Sequence, residues 1–103
     1  MAVENHKTCG VSKTLKIIGN KWSMYILHSL FSGTKRFGQL QGELNGISPK
    51  TLSLRLKELE KEGILKKKIY TEIPLHVEYT LTTKGESLKE IFEKISEWGE
   101  QSA

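Results

Sequence analysis

The sequence predicts a small, mainly α-helical domain with one β-hairpin, an α+β fold class in which the helices dominate. Three observations predict it. The chain before residue 63 contains apolar side chains at helical spacing. Two runs between residues 64 and 82 have the composition or the alternation of β-strands, and residues 83–103 carry a further helical stripe. The length of 103 residues suits a single domain with one modest core.

The first half of the chain predicts three helices. Residues 1–8 are polar, and we expect them to form a flexible N-terminus ahead of a single domain over residues 9–103. A short amphipathic helix over residues 11–18 comes next. Residues 22–33 are apolar nearly all round, which predicts the central buried helix. Residues 36–46 place three large apolar side chains on one face of a third helix.

Residues 49–62 predict a helix with two different faces. Ser48 is a preferred N-cap residue, and Pro49 suits the first helical position. One stripe of this helix consists of Leu52, Leu56 and Leu59. Leu54 lies about 200° from that stripe by the helical count, on an arc shared with Lys50, Lys57 and Lys61. A leucine among lysines, opposite a buried stripe, indicates a face that binds a partner.

The end of the chain predicts a hairpin and a final helix. Residues 64–70 and 76–82 are β-type runs, joined by a five-residue loop that contains Pro74. Thr83 and Glu86 have the spacing of a capping box, which predicts the start of the last helix. Large apolar side chains follow along that helix at a spacing of three or four residues.

The charges are unevenly distributed along the chain. The formal net charge is +4, with seven Lys or Arg against three Glu over residues 48–70, and three against seven over residues 71–103. A basic region indicates a polyanion partner, although a solvated surface with scattered lysines has a similar composition. No apolar run approaches the roughly 20 residues of a membrane span. No secretory signal follows the N-terminus, so we expect a cytoplasmic protein.

The residue types argue against catalysis. All twelve acidic residues are glutamates, which removes Ser-His-Asp triads and aspartate-based metal loops in their usual forms. The chain has no glycine-rich phosphate motif and no HExxH helix. We therefore expect a protein that is not an enzyme and has no cofactor or metal. A site formed by His6, Cys9 and either His28 or His76 is the minor alternative; His28 suits a core or interface position better, and His76 a surface position near DNA.

Two helices separated by the tight NGIS turn (45–48) and followed by a basic hairpin predict a winged helix-turn-helix. In that motif the second helix lies in the major groove of DNA. An exposed leucine near its start can contact a thymine methyl group, and neighbouring lysines can reach phosphates or guanine. The predicted DNA-binding residues are Arg36, Ser48, Pro49, Lys50, Thr51, Ser53, Leu54, Lys57, Lys66, Lys67, Lys68 and His76. Alternatively, Leu54 is an ordinary exposed leucine or packs under a loop, and the wing lysines protect an edge strand from aggregation.

Residues 68–88, KIYTEIPLHVEYTLTTKGESL, resemble the wing and last helix of the HxlR-type family of MarR-like transcription regulators. That family has Tyr, Glu and Pro across the wing and V-E-Y-x-L-T-x-x-G into the helix. The stretches IGNKW (18–22), RFGQL (36–40), GISPKTLSLRLKELEKEGIL (46–65) and WGE (98–100) are similar to its other motifs, in the same order. The resemblance implies a homodimeric winged helix-turn-helix protein that binds double-stranded DNA.

The resemblance also implies that the two terminal helices form the dimer interface. The sequence favours a dimer independently, because a last helix with five large apolar residues on so small a domain has more apolar surface than its own core needs. The predicted interface residues are Leu15, Ile18, Leu88, Ile91, Phe92, Ile95 and Trp98. A two-fold dimer would present paired recognition helices to an inverted-repeat operator. The alternative is that the last helix only covers its own domain.

Cys9 is the single cysteine of the chain. Members of the resembled family commonly carry a cysteine near the start of the first helix, and in some it senses oxidants or electrophiles. The residue after it is Gly10 where the family usually has proline, and Asn20 replaces the second glycine of I-G-G-K-W. A helix N-terminus and nearby lysines favour the reactive thiolate form of cysteine. Cys9 is thus a candidate redox sensor, and the alternative is a buried cysteine that acts as a small apolar side chain.

Taken together, these patterns predict a sequence-specific DNA-binding regulator that acts as a homodimer on an inverted-repeat operator, with Cys9 as a candidate sensor of a small oxidant or electrophile. The alternative function is a winged-helix module that binds another protein through its apolar last helix and has no DNA specificity.

Overall fold

The structure is a computed structural model that describes residues 9–102, so the N-terminal segment 1–8 expected to be flexible lies outside the described residues. The elements are α1 (Gly10–Ile18), α2 (Lys21–Leu30), β1 (Lys35–Arg36), α3 (Phe37–Glu43), α4 (Pro49–Lys61), β2 (Leu65–Tyr70), β3 (His76–Leu81), α5 (Thr83–Glu86) and α6 (Lys89–Ser102). The predicted fold class, mainly helical with a small antiparallel hairpin, is confirmed. Within residues 9–102, no helix is long and apolar enough to cross a membrane.

The sheet has one strand more than the sequence predicts. The strand order is β1-β3-β2 with antiparallel pairing throughout. In β1, Lys35 pairs with Tyr79 and Arg36 pairs with Glu78. A two-residue strand cannot show the alternation by which strands are recognised, which is why this segment was expected to lead directly into a helix. The added strand ties the hairpin to the start of α3.

The core lies between α2, α3, α4 and the base of the hairpin. Ile26, Leu27 and Leu30 of α2 are buried, and so are Leu52, Leu56 and Leu59 of α4, as the helical stripe predicts. The expectation that α2 is buried nearly all round is wrong. Tyr25 and His28 are exposed, because α6 and α3 leave one side of α2 open to solvent. His28 is therefore not a core histidine.

The turn between α3 and α4 is built as the sequence predicts. Ser48 caps α4, since its Oγ accepts a hydrogen bond from the backbone N–H of Thr51 at 3.1 Å. Gly46 has a φ of +89°, a conformation that glycine adopts at low cost. The side-chain Nε2 of Gln41 donates a hydrogen bond to the carbonyl oxygen of Ile47 and connects the turn to α3.

The last helix differs from the prediction in its start. The N-cap is Thr82, not Thr83. The Thr82 Oγ1 accepts the N–H of Gly85 at 3.1 Å, and its hydroxyl donates toward the carbonyl oxygens of Gly63, at 2.5 Å, and Ile64, at 3.1 Å. The result is a separate short helix, α5, before α6 begins at Lys89. A Cβ at Gly85 would lie 2.3 Å from the Ile64 carbonyl oxygen, so only glycine fits at this close approach.

An ion pair connects α3 to β1 on the side of α2 that is open. The Lys35 Nζ donates to both carboxylate oxygens of Glu43 at 2.7 Å, and Ser29 Oγ donates to the same carboxylate at 2.7 Å. These hydrogen bonds, first from Lys35 and then from Ser29, hold the pKa of the Glu43 carboxyl below its ordinary value of 4.5.

Candidate nucleic-acid interface

The outer face of α4 combines one large apolar side chain with cations. Leu54 is 50% exposed, and Lys50, Ser53 and Lys57 are exposed on the same helix. The opposite stripe of α4 is fully buried in the core. The alternative that Leu54 packs under a neighbouring loop is therefore wrong: it stands in solvent within a positively charged arc.

The first turn of α4 is exposed to solvent. Ser48 and Pro49 are exposed, and Thr51 is half-buried. Ser48 Oγ donates to Thr51 Oγ1 at 3.0 Å while it caps the helix. A helix N-terminus carries partial positive charge and orphan N–H groups, which suit an anion such as a phosphate. Ser48 therefore caps α4 at the same exposed end of the helix that suits a phosphate.

The three wing lysines are exposed but do not share one face of the hairpin. Side chains of successive strand residues point to opposite faces. Lys66 and Lys68, which pair with Thr80 and Glu78, lie on one face, whereas Lys67 pairs with Tyr79 on the other. The hairpin stem thus carries positive charge on both sides.

Arg36 lies at the junction between the sheet and α3. It is exposed, it precedes the first residue of α3, and its backbone N–H donates to the side chain of Gln39 at 2.9 Å. Its strand partner is Glu78, which pairs with Lys68 on the other side. Arg36, Glu78 and Lys68 therefore form a row across the sheet. The Glu78 carboxylate offsets part of the positive charge of its two neighbours.

His76 is integrated into the wing. Its ring stacks on Tyr70 with centroids 4.4 Å apart and planes 10° from parallel. Its Nδ1 lies 3.0 Å from the carbonyl oxygen of Pro74, and its Nε2 lies 3.2 Å from Glu78 Oε2. The side chain is half-buried by these contacts. The strand register, in which residue 70 stands opposite residue 76, produces the stack and was not foreseen from the sequence.

The hairpin tip exposes two apolar residues that the sequence prediction missed. Ile73 is 96% exposed and Leu75 is 72% exposed. The signal available in the sequence was an isoleucine and a leucine on either side of Pro74 in a predicted loop, where polar residues are usual.

The predicted dimer residues divide into two groups. Leu15, Ile91, Ile95 and Trp98 are exposed, with Trp98 at 71%. Ile18 and Phe92 instead lie in the core of their own chain, where Phe92 packs edge-on against Phe31 with ring centroids 5.1 Å apart. Leu88 is half-buried against the same core. Only the first group, on α1 and α6, is exposed.

Cys9 stands at the N-terminus of α1. Its Sγ accepts a hydrogen bond from the backbone N–H of Ser12 at 3.3 Å, so the thiol caps the helix. The residue is exposed, and the alternative of a buried apolar cysteine is wrong. His6 lies outside the described residues. Over residues 9–102, no group of three or more His, Cys or Glu side chains is arranged to hold a metal ion.

Known proteins are similar to this chain in both sequence and structure. The chain is 39% identical to the uncharacterized HTH-type transcriptional regulator sll1512 of Synechocystis, over 97% of this chain and 77% of that protein. Its structure is similar to that of a protein assigned to the MarR family of transcriptional regulators from Porphyromonas gingivalis W83, with a TM-score of 0.89, 36% identity and coverage of 93% and 94% of the two chains.

A third similar protein is a redox regulator, HypR, whose structures in the reduced and oxidised forms both have a TM-score of 0.85 against this chain. The reduced form is 36% identical over 90% of this chain and 92% of HypR, and the oxidised form is 37% identical over 92% and 98%. The profile of the HxlR-like helix-turn-helix family matches residues 17–103. With a winged helix-turn-helix, a basic outer face on α4 and relatives that are regulators and not enzymes, the chain belongs to the HxlR-like family of DNA-binding transcriptional regulators.

Proposed function

We propose that this regulator binds an inverted-repeat operator as a homodimer and that Cys9 makes its binding responsive to oxidants or electrophiles. The observation that carries the proposal is the two-faced helix α4, in which a half-exposed leucine lies among lysines opposite a fully buried stripe. A helix fixed on the domain by one face and free on the other can enter the major groove.

The exposed arc of α4 supplies the sequence readout. Leu54 contacts a thymine methyl group, and Lys50, Ser53 and Lys57 reach base edges or the phosphates beside them. The exposed first turn, with Ser48, Pro49 and Thr51, presents the positive end of the helix to a phosphate. Leu54 thus reads the base sequence directly, and the phosphate contact at the start of α4 positions the helix in the groove.

The wing and Arg36 supply contacts to the sugar-phosphate backbone. Lys66 and Lys68 lie on one face of the stem and Lys67 on the other, so the hairpin can approach phosphates from either side. Each phosphate neutralised by a lysine adds to the salt dependence of binding. Arg36 is the weaker clamp, because Glu78 lies opposite it in the sheet.

The dimer forms through α1 and α6. Leu15 on α1 and Ile91, Ile95 and Trp98 on α6 are apolar side chains that remain exposed on a small domain, and a partner chain would cover them. A two-fold axis through those side chains repeats α4 on the other side of the axis. Half-sites about one helical turn apart, about 34–36 Å, would then be read together.

The chemistry of the response centres on the Cys9 sulfur. With one cysteine per chain, a disulfide joins either two chains or one chain and a small thiol. In the first case two Cys9 thiols lose two electrons and two protons to hydrogen peroxide, which is reduced to two molecules of water. The proposal is supported by the exposure of Cys9, by its position at the start of α1, which carries the exposed Leu15, and by the similarity to the redox regulator HypR.

The experiment is a selection of bound duplexes from a random-sequence DNA pool with the purified, reduced protein. An enriched inverted repeat with half-sites one helical turn apart is the expected result. Enrichment of a single half-site would contradict the dimeric mode, and no enrichment at low salt would favour the protein-binding module instead.

The second arm of the selection uses protein treated with hydrogen peroxide and then with reductant. Loss of the repeat on oxidation and its return on reduction are expected for the wild type, whereas Cys9→Ser should select the same repeat in every condition. Equal recovery from oxidised and reduced wild-type protein would contradict a sensing role for Cys9.

A further inference from the structure

A cavity of about 850 Å³ lies between α2 and α6, on the side of α2 that is open to solvent. Its floor is apolar and consists of Phe31, Leu44 and Phe92. Its wall on α2 is formed by three residues of one helical face, Tyr25, His28 and Ser29. Pockets that bind small organic molecules have volumes of roughly 300–1,000 Å³ and an apolar lining with a few polar groups. The open side of α2 therefore has the size and the lining of a ligand pocket.

The wall on α6 is a different face of that helix from the one assigned to the dimer. Its residues are spaced by three or four positions: Lys89, Phe92, Glu93, Ser96 and Glu97. At about 100° per residue, this face is centred roughly 160° from the face of Ile91, Ile95 and Trp98. A dimer formed through those three exposed side chains is therefore directed away from the cavity.

The lining has the opposite sign of charge from the whole protein. The chain has a formal net charge of +4. The lining has two lysines and three glutamates, a net charge of −1 with His28 neutral: Lys35, Lys89, Glu43, Glu93 and Glu97. Lys35 is neutralised within the protein, because its Nζ lies 2.7 Å from both carboxylate oxygens of Glu43. The acidic excess therefore belongs to α6 and favours a cation in the cavity.

Aromatic rings add to this preference for a cation. Tyr25 is 53% exposed at the cavity wall, and two phenylalanines form part of the floor. The faces of such rings carry partial negative charge and attract cations. On the same helix, the Lys21 ammonium lies 5.0 Å from the ring centroid of Trp22, which is itself 6.1 Å from that of Tyr25. The aromatic side of α2 thus already holds one cation next to the cavity.

We propose that this cavity binds a hydrophobic organic cation, such as a quaternary phosphonium or ammonium ion, as a second input to the regulator that does not use Cys9. Glu93 and Glu97 attract the charge, and Tyr25 and the apolar floor contact the hydrophobic groups. The inference rests on the proposed DNA binding, whose regulation it extends. Leu44 of the floor directly follows α3 and precedes the turn to α4, so occupation of the cavity is linked to the position of the recognition helix.

The first test compares two probes of one shape and opposite charge. Isothermal titration calorimetry of the reduced full chain, without DNA, measures the binding of tetraphenylphosphonium and of tetraphenylborate. The phosphonium should bind at least about tenfold more tightly, because like charges at a binding site are strongly disfavoured. The net charge of +4 favours the borate over the protein as a whole. Equal or tighter binding of the borate, or no binding of the phosphonium, would overturn the proposal.

The second test removes the charge of the wall while conserving the net charge between variants. The double substitution Glu93→Gln/Glu97→Gln should weaken phosphonium binding about fivefold, since each exposed carboxylate contributes modestly. Glu90→Gln/Glu100→Gln is the control on the same helix, at two residues outside the lining, and it should bind as the wild type does. Equal losses in both variants would mean that the probe responds to the general charge of α6 and not to this cavity.

The third test concerns the aromatic wall. Tyr25→Phe keeps the ring and should bind the phosphonium as the wild type does. Tyr25→Leu keeps an apolar side chain without a ring, and it should bind about threefold more weakly, the size of one exposed cation–π contact. Equal affinities of the two variants would contradict the role given to the ring.

The last test connects the cavity to DNA. With reductant present throughout, tetraphenylphosphonium should change the affinity for the selected duplex about fivefold, a typical coupling between two sites. The Glu93→Gln/Glu97→Gln variant should lose most of this change. Phosphonium binding that leaves DNA affinity unaltered would overturn the role as an input.

The outcomes separate this inference from the function on which it rests. Failure of the wild type to select any DNA is a failure of the proposed function, and the three calorimetric tests still decide whether the cavity binds a cation. Failure of those tests with intact operator binding overturns the cavity site alone. A changed oligomeric state of Glu93→Gln/Glu97→Gln would also overturn it, because this face of α6 would then belong to a contact between chains.

Discussion

The recognition helix α4 and the C-terminal helix α6 carry a similar apolar pattern but use it differently. Both have large apolar side chains at intervals of three and four residues. In α4 the whole stripe is buried in its own domain, and one further leucine stands outside among lysines. In α6 only Phe92 is buried, while Ile91, Ile95 and Trp98 are exposed.

The difference teaches that the charges around an exposed apolar residue indicate its partner better than its hydrophobicity does. Leu54 has lysines on its arc of α4, which suits a polyanion. The exposed face of α6 lies in the acidic part of the chain, residues 71–103, which has three Lys against seven Glu and does not favour a polyanion. The first surface is thus suited to DNA and the second to another protein chain.

The largest expected effect comes from the buried stripe of α4. Leu56 is 1% exposed, and Leu56→Ala should lower the free energy of unfolding by about 2–5 kcal/mol through lost burial and a cavity. Leu54→Ala should change the same quantity by no more than about 0.5 kcal/mol. Urea denaturation at one fixed protein concentration measures both, since dimerisation contributes to stability. Equal losses would place Leu54 in the core and break the comparison.

The next effect concerns α6. Trp98→Ala should weaken dimerisation by about 2 kcal/mol or more, as truncation of a central interface tryptophan typically does. Sedimentation equilibrium over a range of concentrations measures the change. Leu54→Ala is the control, and it should dimerise as the wild type does. A Trp98→Ala protein with an unaltered dimer would mean that α6 only covers its own domain.

A smaller effect should distinguish readout from charge on the DNA side. Leu54→Ala should relax the preference for one base pair by about 1 kcal/mol, the value of a lost methyl contact. Competition between duplexes that differ at single positions measures the preference. A uniform loss across all sequences would show that Leu54 does not read a base.

The matched change on the wing is Lys67→Gln. It should weaken binding to all sequences alike and reduce the slope of log affinity against log salt by about 1. Binding titrations at several salt concentrations give the slope. A changed sequence preference with an unchanged slope would reverse the roles assigned to α4 and the wing.

The smallest effect belongs to an ion pair outside both surfaces. The pKa of Glu43 is lowered by hydrogen bonds from Lys35 and Ser29. The ion pair therefore stabilises the fold fully at pH values above the ordinary pKa of 4.5, and this stabilisation is lost as the pH falls through the lower pKa of the folded state. The Tm of Glu43→Gln should therefore be below that of the wild type near neutral pH and approach it in acid. DNA binding and dimerisation should not change, and a change in either would place Glu43 in one of the two surfaces.

Local patterns in the sequence were sufficient for most of the fold. The cap at Ser48, the buried stripe of α4 and the two long strands follow from side-chain chemistry over a few residues, and each is confirmed. The division of the last helix was not predicted. Thr82 is the cap because its hydroxyl also reaches the carbonyl oxygens of Gly63 and Ile64, which are distant in sequence.

By itself, the sequence determined that this is a winged helix-turn-helix with one face of α4 directed away from the core, because helical periodicity and charge are local properties. Only the tertiary structure decided which apolar residues remain outside. Ile18 and Phe92 went into their own core, and Ile73 to the tip of the wing. It also decided the contacts of the His76 ring with Tyr70, Pro74 and Glu78, since they depend on strand register. Burial and pairing are set by elements that meet in space, and a one-dimensional pattern does not contain that information.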